Sequence, residues 1–324
     1  MRRVRYHSHG GPDVLAIEET AIPEPGPGQV LIRTEAIGVN YVDVQLRRET
    51  SPGSIYFRET PATLTGDVVG TVERTGPGSD PALAGTRVAV LLEDAYADYV
   101  VAGTGWLAGV PEGLGAGAAS MLPTAGAVAL GALSTGRLGR GDTVLVTAGA
   151  GGIGHLAVQL ARQRGAGTVI ATAGSPAKLD FLKELGADAV VDHTRADWAD
   201  QVRNAAPGGL DVVLEAVGGE MLHQSLGLLA PFGRIVVFGA AAGDLTSVPV
   251  TSLFTLKTMS GFSLLAWRAA DPERARADIA ELTGLLQAGT LRAVTETTLP
   301  LAEVVQAHRL LEERTVVGRL LLVP

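Results

Sequence analysis

The middle of the chain alternates short apolar runs with amphipathic stretches, a pattern that predicts strands and helices in turn. Residues 143–147 are mostly β-branched and end at a glycine cluster, and the stretch from Ile153 to Ala161 has one apolar helical face. Further strands are predicted at 168–173, 189–191, 211–215 and 234–238, with helices at 176–186, 196–205 and 220–229. Because apolar strands that alternate with helices are covered on both faces, we expect a doubly wound parallel sheet.

The two ends of the chain have a different pattern. Residues 1 to about 112 contain short strands divided by Pro and Gly clusters, which is typical of a compact β-rich module. After residue 264, helices at 271–287 and 301–313 and a closing strand at 318–323 are predicted. These elements would rejoin the first module. The expected domains are therefore 1–116 together with 265–324, and an inserted domain at 117–264.

Residues 113–136 carry no charged side chain and could be mistaken for a membrane span. The stretch consists mostly of Gly and Ala, and Pro123 lies inside it. Small side chains suit close packing in a protein interior better than contact with lipid. We therefore predict a buried helix that begins near Gly117, is interrupted around Pro123 and resumes to about Leu133.

Composition narrows the possible partners and the cellular compartment. The chain has 324 residues and a net charge of −8, which argues against nucleic acid or an anionic membrane as a partner. It contains no cysteine, which excludes disulfides, thiolate zinc sites and a cysteine nucleophile. The N-terminus lacks the apolar segment of a signal peptide. These features fit a cytoplasmic protein.

The glycine cluster predicts a dinucleotide site. Gly149, Gly151 and Gly154 have G-x-G-x-x-G spacing, directly after a predicted strand and before a predicted helix. In such a site the glycines allow a tight turn, close approach to a pyrophosphate and close packing of helix on strand. The free N–H groups at the helix start attract the pyrophosphate. The residues expected to hold it are Ala150, Gly151, Gly152, Ile153 and Gly154.

Further motifs carry a resemblance that covers essentially the whole chain. They are the segments 9–15 (HGGPDVL), 38–43 (GVNYVD), 66–70 (GDVVG), 148–154 (AGAGGIG), 186–188 (GAD) and 238–239 (FG). With these motifs the chain resembles the zinc-free quinone oxidoreductases, of zeta-crystallin type, in the medium-chain dehydrogenase/reductase family. The resemblance implies an α/β protein with a GroES-like β-rich catalytic domain and a doubly wound Rossmann dinucleotide-binding domain.

The end of the second predicted strand indicates NADPH (NADP⁺) as the cofactor. An NAD site carries Asp or Glu there to bind the ribose 2′-hydroxyl, whereas this chain has no acid between Thr172 and Asp180. Ser175 can donate a hydrogen bond to a 2′-phosphate, and Lys178 matches the family's 2′-phosphate lysine. A solvated helix residue is the alternative interpretation of Lys178, and a plain loop histidine is that of His193, which the resemblance places beside the adenosine phosphate.

The resemblance also implies contacts along the rest of the cofactor. It places Asn40 at the nicotinamide end and Arg319 near the phosphates. The family's threonine beside the nicotinamide is replaced by Ala127, although Thr124 is close in sequence. The remaining expected cofactor residues are Thr172, Ala173, Val217, Phe238, Gly239, Ala240, Phe262, Ser263 and Leu264. For Phe238 and Phe262, core packing is an equal alternative.

Zinc is not expected. Zinc-dependent relatives have a Cys at the position of Asn40 and a His near Gly66, and this chain has neither. The pair His7 and His9 has no third ligand nearby in sequence and is expected at the surface. Without a Lewis acid to hold an alkoxide, alcohol oxidation loses its main electrophile. Reduction of a quinone, or of a C=C bond beside a carbonyl, is a better match.

The proton donor is weakly marked in the sequence. Some relatives use a tyrosine shortly after the Asn-x-x-Asp element, but that position falls near Ser51 here. The candidate catalytic residues are Asn40, Tyr41, Asp43 and Tyr56. We expect the proton to come from water, Tyr41 or Tyr56.

The sequence favours an NADPH-dependent quinone or enone reductase and leaves alternatives open. An enoyl-thioester reductase, or a reductase dedicated to one biosynthetic pathway, would need a basic mouth, which Arg47, Arg48 and Arg58 could form. An exposed loop is the favoured interpretation of these arginines. A non-enzymatic NADPH-binding protein is the third possibility.

The resemblance also implies a homodimer, with 259–267 as an apolar edge strand that pairs between subunits.

Overall fold

The computed structural model describes residues 1–324, and the chain divides into two compact units. The first unit contains Met1–Thr124, Leu282–Ala288 and Ala293–Pro324, and the second contains Ala125–Glu281 and Gly289–Arg292. The functional domain limits expected from the sequence, 117 and 264, stay a prediction.

The strands and helices have the following bounds. The strands are β1 (Arg2–Tyr6), β2 (Leu15–Glu19), β3 (Gln29–Gly38), β4 (Gly66–Thr75), β5 (Arg87–Leu92), β6 (Tyr99–Gly103), β7 (Ala108–Gly109), β8 (Thr143–Val146), β9 (Thr168–Ala173), β10 (Ala189–Asp192), β11 (Leu210–Glu215), β12 (Leu229–Val237), β13 (Thr258–Gly261), β14 (Thr297–Pro300) and β15 (Leu320–Val323). The α-helices are α1 (Val42–Arg48), α2 (Ala116–Ala119), α3 (Ala127–Thr135), α4 (Gly154–Gln163), α5 (Leu179–Glu184), α6 (Trp198–Ala205), α7 (Gly219–Leu228), α8 (Leu264–Ala270), α9 (Pro272–Gln287) and α10 (Val304–Glu312).

The first unit is the β-rich module that the sequence predicts. Its seven-stranded sheet has the order β14-β15-β3-β4-β5-β7, with β6 paired to β3, and β1 and β2 form a separate pair. Two elements of this unit were not predicted, the short strand β14 and the helix α1. The α1 helix shows why. Its buried positions include Asp43 and Arg47 as well as apolar residues, so the hydrophobic periodicity that would reveal the helix is masked.

The second unit is a doubly wound Rossmann sheet, as expected. Its six strands have the order β10-β9-β8-β11-β12-β13, and every neighbouring pair is parallel. The chain starts at β8, runs outward to β10, and then returns to fill the other side from β11. The order therefore reverses between β8 and β11, and in open α/β sheets ligands bind at the carboxyl ends of the strands beside such a reversal.

The structure also corrects the elements predicted at 259–267 and directly after Ser175. The segment 259–267, expected as one edge strand, is strand only to Gly261, and α8 begins at Leu264. Ser263 caps this helix by accepting a hydrogen bond from Ala266 N at 3.4 Å. The helix expected directly after Ser175 begins as a 3₁₀ turn, Pro176–Lys178, without a capping bond from the Ser175 side chain.

The uncharged segment forms the interrupted helix that was predicted. A π-helical turn, Leu122–Gly126, contains Pro123 and separates α2 from α3. By length and composition the run Ala116–Thr135 could cross a membrane. However, 78% of its most apolar 18-residue stretch is buried inside the protein. Core helices of globular proteins have the same properties.

Candidate functional site

The turn after β8 has the geometry of a phosphate-binding turn. Gly149 N donates to Thr172 O at 2.7 Å, which ties the turn to β9. A Cβ on Gly154 would lie 2.3 Å from Ala148 O, so this glycine is required for the start of α4 to pack on the turn. A Cβ on Gly151 would meet nothing closer than 3.4 Å. Internal packing therefore does not require glycine at 151, whereas close approach of a ligand to the backbone would.

The residues expected at the adenosine end lie together at the carboxyl end of β9. His193 Nδ1 is 3.2 Å from Thr172 Oγ1, and His193 N donates to Ala173 O at 3.0 Å. Ser175 and Lys178 follow in the same 3₁₀ turn, in which Lys178 N donates to Ser175 O at 3.2 Å, and both side chains are half-buried. The second unit thus brings a hydroxyl, an ammonium group and an imidazole to one short segment.

The acidic residue next to this segment is Asp192, which pairs in register with Ala173. Its Oδ1 accepts hydrogen bonds from Thr194 N at 2.9 Å and Thr194 Oγ1 at 2.7 Å, and these bonds lower the pKa of the carboxyl group. The carboxylate is therefore bonded to its own turn, and no acid occupies the end of β9, where a ribose 2′-hydroxyl would be recognised.

Glu215 and Thr147 shape the reversal point of the sheet, and neither was predicted as a site residue from the sequence. Glu215 accepts hydrogen bonds from Val217 N at 2.8 Å and Gly218 N at 2.9 Å, and burial raises the pKa of its carboxyl group. Thr147 Oγ1 accepts from Ala216 N at 2.9 Å and donates to Leu214 O at 3.1 Å. Together they join the ends of β8 and β11. An acid that closes an apolar strand was the available signal.

The other expected cofactor residues lie at the carboxyl ends of β11, β12 and β13, and several also have packing roles. Phe238 N donates to Glu215 O at 3.0 Å, and a Cβ on Gly239 would lie 2.8 Å from Ala216 O. The Phe262 ring packs on α3, where a Cβ on Gly131 would be 2.3 Å from its Cζ. Val217 and Leu264 are buried, whereas Ala240 is half-buried and Ser263 is exposed. The contact of these residues with cofactor stays a prediction.

In the first unit, a buried carboxylate connects Asn40, Thr124 and Arg319. We call these residues, with Asp67, the Asp67 cluster. Asp67 Oδ1 accepts from Thr124 Oγ1 at 2.5 Å, and Asp67 Oδ2 accepts from Asn40 Nδ2 at 3.2 Å. Arg319 Nη2 also donates to Oδ2 in an ion pair whose side chains are 3% and 0% exposed. The structure therefore gives Arg319 a carboxylate partner within its own unit, and its contact with cofactor phosphates stays a prediction.

Asp43 lies one helical turn beyond Asn40 and is fully buried. Its Oδ1 accepts from Thr65 N at 2.7 Å and Thr65 Oγ1 at 2.9 Å. Burial, assisted by the charge of Asp67, raises the pKa of Asp43 to about 7 against these hydrogen bonds. Burial also raises the pKa of the neighbouring Tyr96 hydroxyl, and the negative charge of Asp43 adds to that shift. Asp43 is thus part of the core beneath Asn40.

The two candidate proton donors are placed differently. Tyr41 is half-buried directly before α1 and next to Asn40 in the chain. Tyr56 lies in the following loop, where its N–H donates to Ser54 Oγ at 3.3 Å. Burial raises the pKa of Tyr56, while its hydrogen bond with Gln45 opposes the shift. Its hydroxyl therefore carries a proton at neutral pH.

The expectation of an exposed arginine loop is wrong for Arg47. Its side chain is fully buried in α1, where it donates to Gly10 O and pairs with Glu312. Arg48 and Arg58 are exposed, as expected. Arg47 faces inward because its guanidinium finds both an acceptor and a counter-ion there, which the loop-like composition of 47–51 does not reveal.

The donor set does not fit a catalytic zinc ion. Asn40 stands where the resemblance places the Cys of zinc-dependent relatives, and Gly66 is near the position of their His. A Cβ on Gly66 would already lie 2.9 Å from Ala95 Cβ and from Ile37 Cγ2, so even a short ligand side chain has no room there. His7, which was expected at the surface, is exposed and is bonded to Glu18 Oε1 at 2.5 Å. We assign no metal to this site.

Comparison with known proteins agrees with this geometry. The family model "Zinc-binding dehydrogenase" matches residues 152–284, and "Alcohol dehydrogenase GroES-like domain" matches residues 26–132. A 2-haloacrylate reductase from a Burkholderia species is 32% identical, with 98% of this chain and 97% of that protein covered. A quinone oxidoreductase from Pseudomonas aeruginosa is 31% identical, with 100% and 99% covered.

Solved structures show the same similarity. A mycobacterial protein in complex with NADPH has a TM-score of 0.91 and 34% identity, and each chain is covered completely. The quinone oxidoreductase of Escherichia coli, also in complex with NADPH, has a TM-score of 0.91 and 26% identity with the same coverage. Sequence motifs, both folds and full-length similarity agree, and the chain belongs to the zinc-free quinone oxidoreductase family of medium-chain dehydrogenases/reductases.

Proposed function

We propose that this protein is an NADPH-dependent, metal-free reductase that transfers hydride to a quinone or an α,β-unsaturated carbonyl compound. As a member of its family the chain is an oxidoreductase. Relatives named quinone oxidoreductase and 2-haloacrylate reductase support these two acceptor classes, because both names describe an electron-poor, conjugated substrate.

The observation that carries the cofactor assignment is the glycine turn with the segment beside it. A Cβ on Gly151 would meet only Ala148 O, at 3.4 Å, so packing does not require this glycine. The end of β9 has Ser175 and Lys178 where an NAD site would have an acid. A 2′-phosphate would meet a hydroxyl and an ammonium group there. We propose that Ala150 to Gly154 hold the pyrophosphate and that Ser175, Lys178 and His193 hold the 2′-phosphate.

The reaction needs a hydride and a proton. NADPH supplies the hydride when it is bound. The chain would orient the nicotinamide end through Asn40 and Thr124, and the residues after β11, β12 and β13 would line its path. We propose that Tyr41, Tyr56 or water supplies the proton, and the raised pKa of Tyr56 keeps that hydroxyl protonated at neutral pH.

The alternatives have less support. An enoyl-thioester reductase needs a basic entrance for a phosphorylated carrier, and Arg47 cannot contribute to one because it is buried and paired with Glu312. A purely NADPH-binding protein would share the cofactor site and would differ only in lacking turnover.

We also propose a cytoplasmic homodimer without nucleic-acid or membrane partners. The exposed edge strand β13 supports the dimer.

Turnover tests the proposal. Oxidation of NADPH and of NADH would be followed with an ortho-quinone, a para-quinone, a simple enone and a crotonyl thioester. We expect NADPH-selective turnover of a quinone or the enone. Preference for the thioester would favour the enoyl reductase, and tight NADPH binding without turnover of any acceptor would contradict a general reductase.

Lys178→Ala tests the phosphate site. Since a charged hydrogen bond contributes about 1.5–3 kcal/mol, the preference for NADPH over NADH should fall about tenfold or more. Lys183→Ala is the matched control, because Lys183 is exposed and pairs with Asp180 on the surface of α5. Equal kinetic changes in the two variants would exclude Lys178 from the site.

A further inference from the structure

Asp67 is a fully buried carboxylate that holds groups from three parts of the first unit. Its Oδ1 accepts the hydroxyl proton of Thr124 at 2.5 Å, and its Oδ2 accepts from Asn40 Nδ2 at 3.2 Å and from Arg319 Nη2. Arg319 reaches it across β3 at Gly38, where a Cβ would lie 2.2 Å from the guanidinium nitrogens Nε and Nη2. The glycine therefore makes room for the counter-ion of the carboxylate.

These bonds determine which atoms Asn40 and Thr124 can offer to a ligand. A threonine hydroxyl has one proton, and that of Thr124 is donated to Asp67, so only its acceptor lone pairs remain. The Asn40 amide directs its Nδ2 to Asp67, which leaves its Oδ1 as the acceptor at the other side of the amide plane. An ionised Asp67 accepts only, and it therefore fixes both side chains as acceptors.

We propose that Asp67 is a positioning residue that presents Asn40 Oδ1 and Thr124 Oγ1 as paired acceptors for a hydrogen-bond donor on the nicotinamide half of the cofactor. The donor is a ribose hydroxyl or the carboxamide nitrogen. This inference rests on the proposed NADPH-dependent function. It also directs the charge of Arg319 to Asp67 rather than to phosphate.

The test compares two probes, NADPH and 2′-phosphoadenosine 5′-diphosphate, which carries the phosphates but lacks nicotinamide and its ribose. Thr124→Val keeps the buried charges and removes only the hydroxyl. We expect it to weaken NADPH binding about tenfold, since one acceptor at the nicotinamide half is lost, and to leave binding of the second probe within about twofold. Thr124→Ser, which restores the hydroxyl, should return NADPH binding to near the wild-type value.

Asp67→Asn turns an N–H group toward Asn40 and leaves Arg319 without its counter-ion, so this single variant can fail to fold. The double variant Asp67→Asn/Arg319→Met removes that unpaired charge. It should melt near the wild-type temperature and lose NADPH and NADH affinity by the same factor, about tenfold or more, while the second probe is bound as before. The matched control is Asp13→Asn/Arg309→Met, which removes an exposed ion pair of the same unit.

The outcomes separate this inference from the proposed function. If the wild-type protein binds both probes but the double variant loses both equally, Arg319 acts on the phosphates and the inference is overturned. Unchanged NADPH binding in Thr124→Val overturns it as well. If the wild-type protein binds neither probe, the proposed function fails and the inference falls with it.

Discussion

Two buried ionisable residues of the first unit, Asp43 and His308, have protonation states that differ from those of exposed residues. The pKa of Asp43 is raised to about 7 by burial, assisted by Asp67 and opposed by the bonds from Thr65. The pKa of His308 is lowered to about 3 by burial and by the charge of Arg47. Near pH 5 both side chains are therefore neutral in the folded protein, whereas both are charged in the unfolded chain.

The two residues should give opposite pH dependences of stability. Between about pH 4 and 7 the unfolded chain has released the Asp43 proton and the folded protein has not, so this residue lowers stability as pH rises. Between about pH 3 and 6.5 the unfolded chain binds a proton at His308 that the folded protein does not, so this residue raises stability with pH. In the shared range the two effects largely cancel.

Variants separate the two effects. Relative to wild type, Asp43→Asn should gain unfolding free energy as pH rises from about 4 to 7, by up to about 1.4 kcal/mol per pH unit. Relative to wild type, His308→Leu should lose unfolding free energy as pH rises from about 3 to 6.5. Urea unfolding at several pH values measures both, with the exposed Asp13→Asn as control. If the unfolding free energies of both variants depend on pH as that of wild type does, the shifted pKa values are contradicted.

At the scale of elements, the β8–α4 turn contains glycines with different physical roles. Gly154 lies against the backbone of Ala148 and Gly149, so a side chain there must push the helix away from the turn. A Cβ on Gly151 would be in ordinary van der Waals contact, 3.4 Å from Ala148 O, so the lack of a side chain there matters for a ligand rather than for packing. The G-x-G-x-x-G spacing identifies these positions but does not distinguish packing from binding.

Alanine substitutions should distinguish the two roles. Gly154→Ala should destabilise the protein by about 1–3 kcal/mol, because it overpacks a tight contact. Gly151→Ala should keep the unfolding free energy near that of wild type and weaken NADPH binding. Gly227→Ala, on the open face of α7, is the control and should stabilise by about 0.4–1 kcal/mol. Thermal melts and NADPH titrations of the three variants measure stability and binding. The distinction is refuted if Gly154→Ala weakens NADPH binding as much as Gly151→Ala does and does not destabilise the protein.

At the scale of the whole molecule, the sheet of the second unit ends in an exposed apolar edge. Met259 lies on the edge strand β13, and Phe232, Phe254 and Leu256 nearby are 70%, 73% and 57% exposed. Phe232 N donates to Leu256 O at 2.7 Å, which holds these two residues side by side. A bare apolar edge favours aggregation unless another chain pairs with it, which is consistent with the proposed homodimer.

A lysine on this edge should disrupt the dimer. Met259→Lys places a charge at the edge strand, and we expect it to elute as a monomer in size-exclusion chromatography while wild type elutes as a dimer. Ile55→Lys is the matched control, since Ile55 is 69% exposed in a loop of the first unit. A wild-type monomer, or a dimer that survives Met259→Lys, would refute pairing through β13.

Much of the fold could be predicted from the sequence because the relevant signals are local. The apolar strands at 143–147 and 168–173, the glycine spacing after 148 and the absence of an acid before Asp180 each depend on neighbouring residues in the chain. The helix α1 and the end of β13 at Gly261 were missed. In α1, buried charged residues hide the helical period of apolar positions. In 259–267, a continuous apolar run does not distinguish a strand from a helix.

The sequence by itself determined the family and the parallel sheet and predicted a preference for NADPH, because strand alternation, motif spacing and the missing acid are properties of contiguous residues. Only the tertiary structure decided the partners of buried charges. Arg319 and Asp67 are separated by 252 positions and Arg47 and Glu312 by 265, yet each pair is in contact. A buried charge takes whichever counter-ion the fold brings to it, and no local pattern specifies that choice.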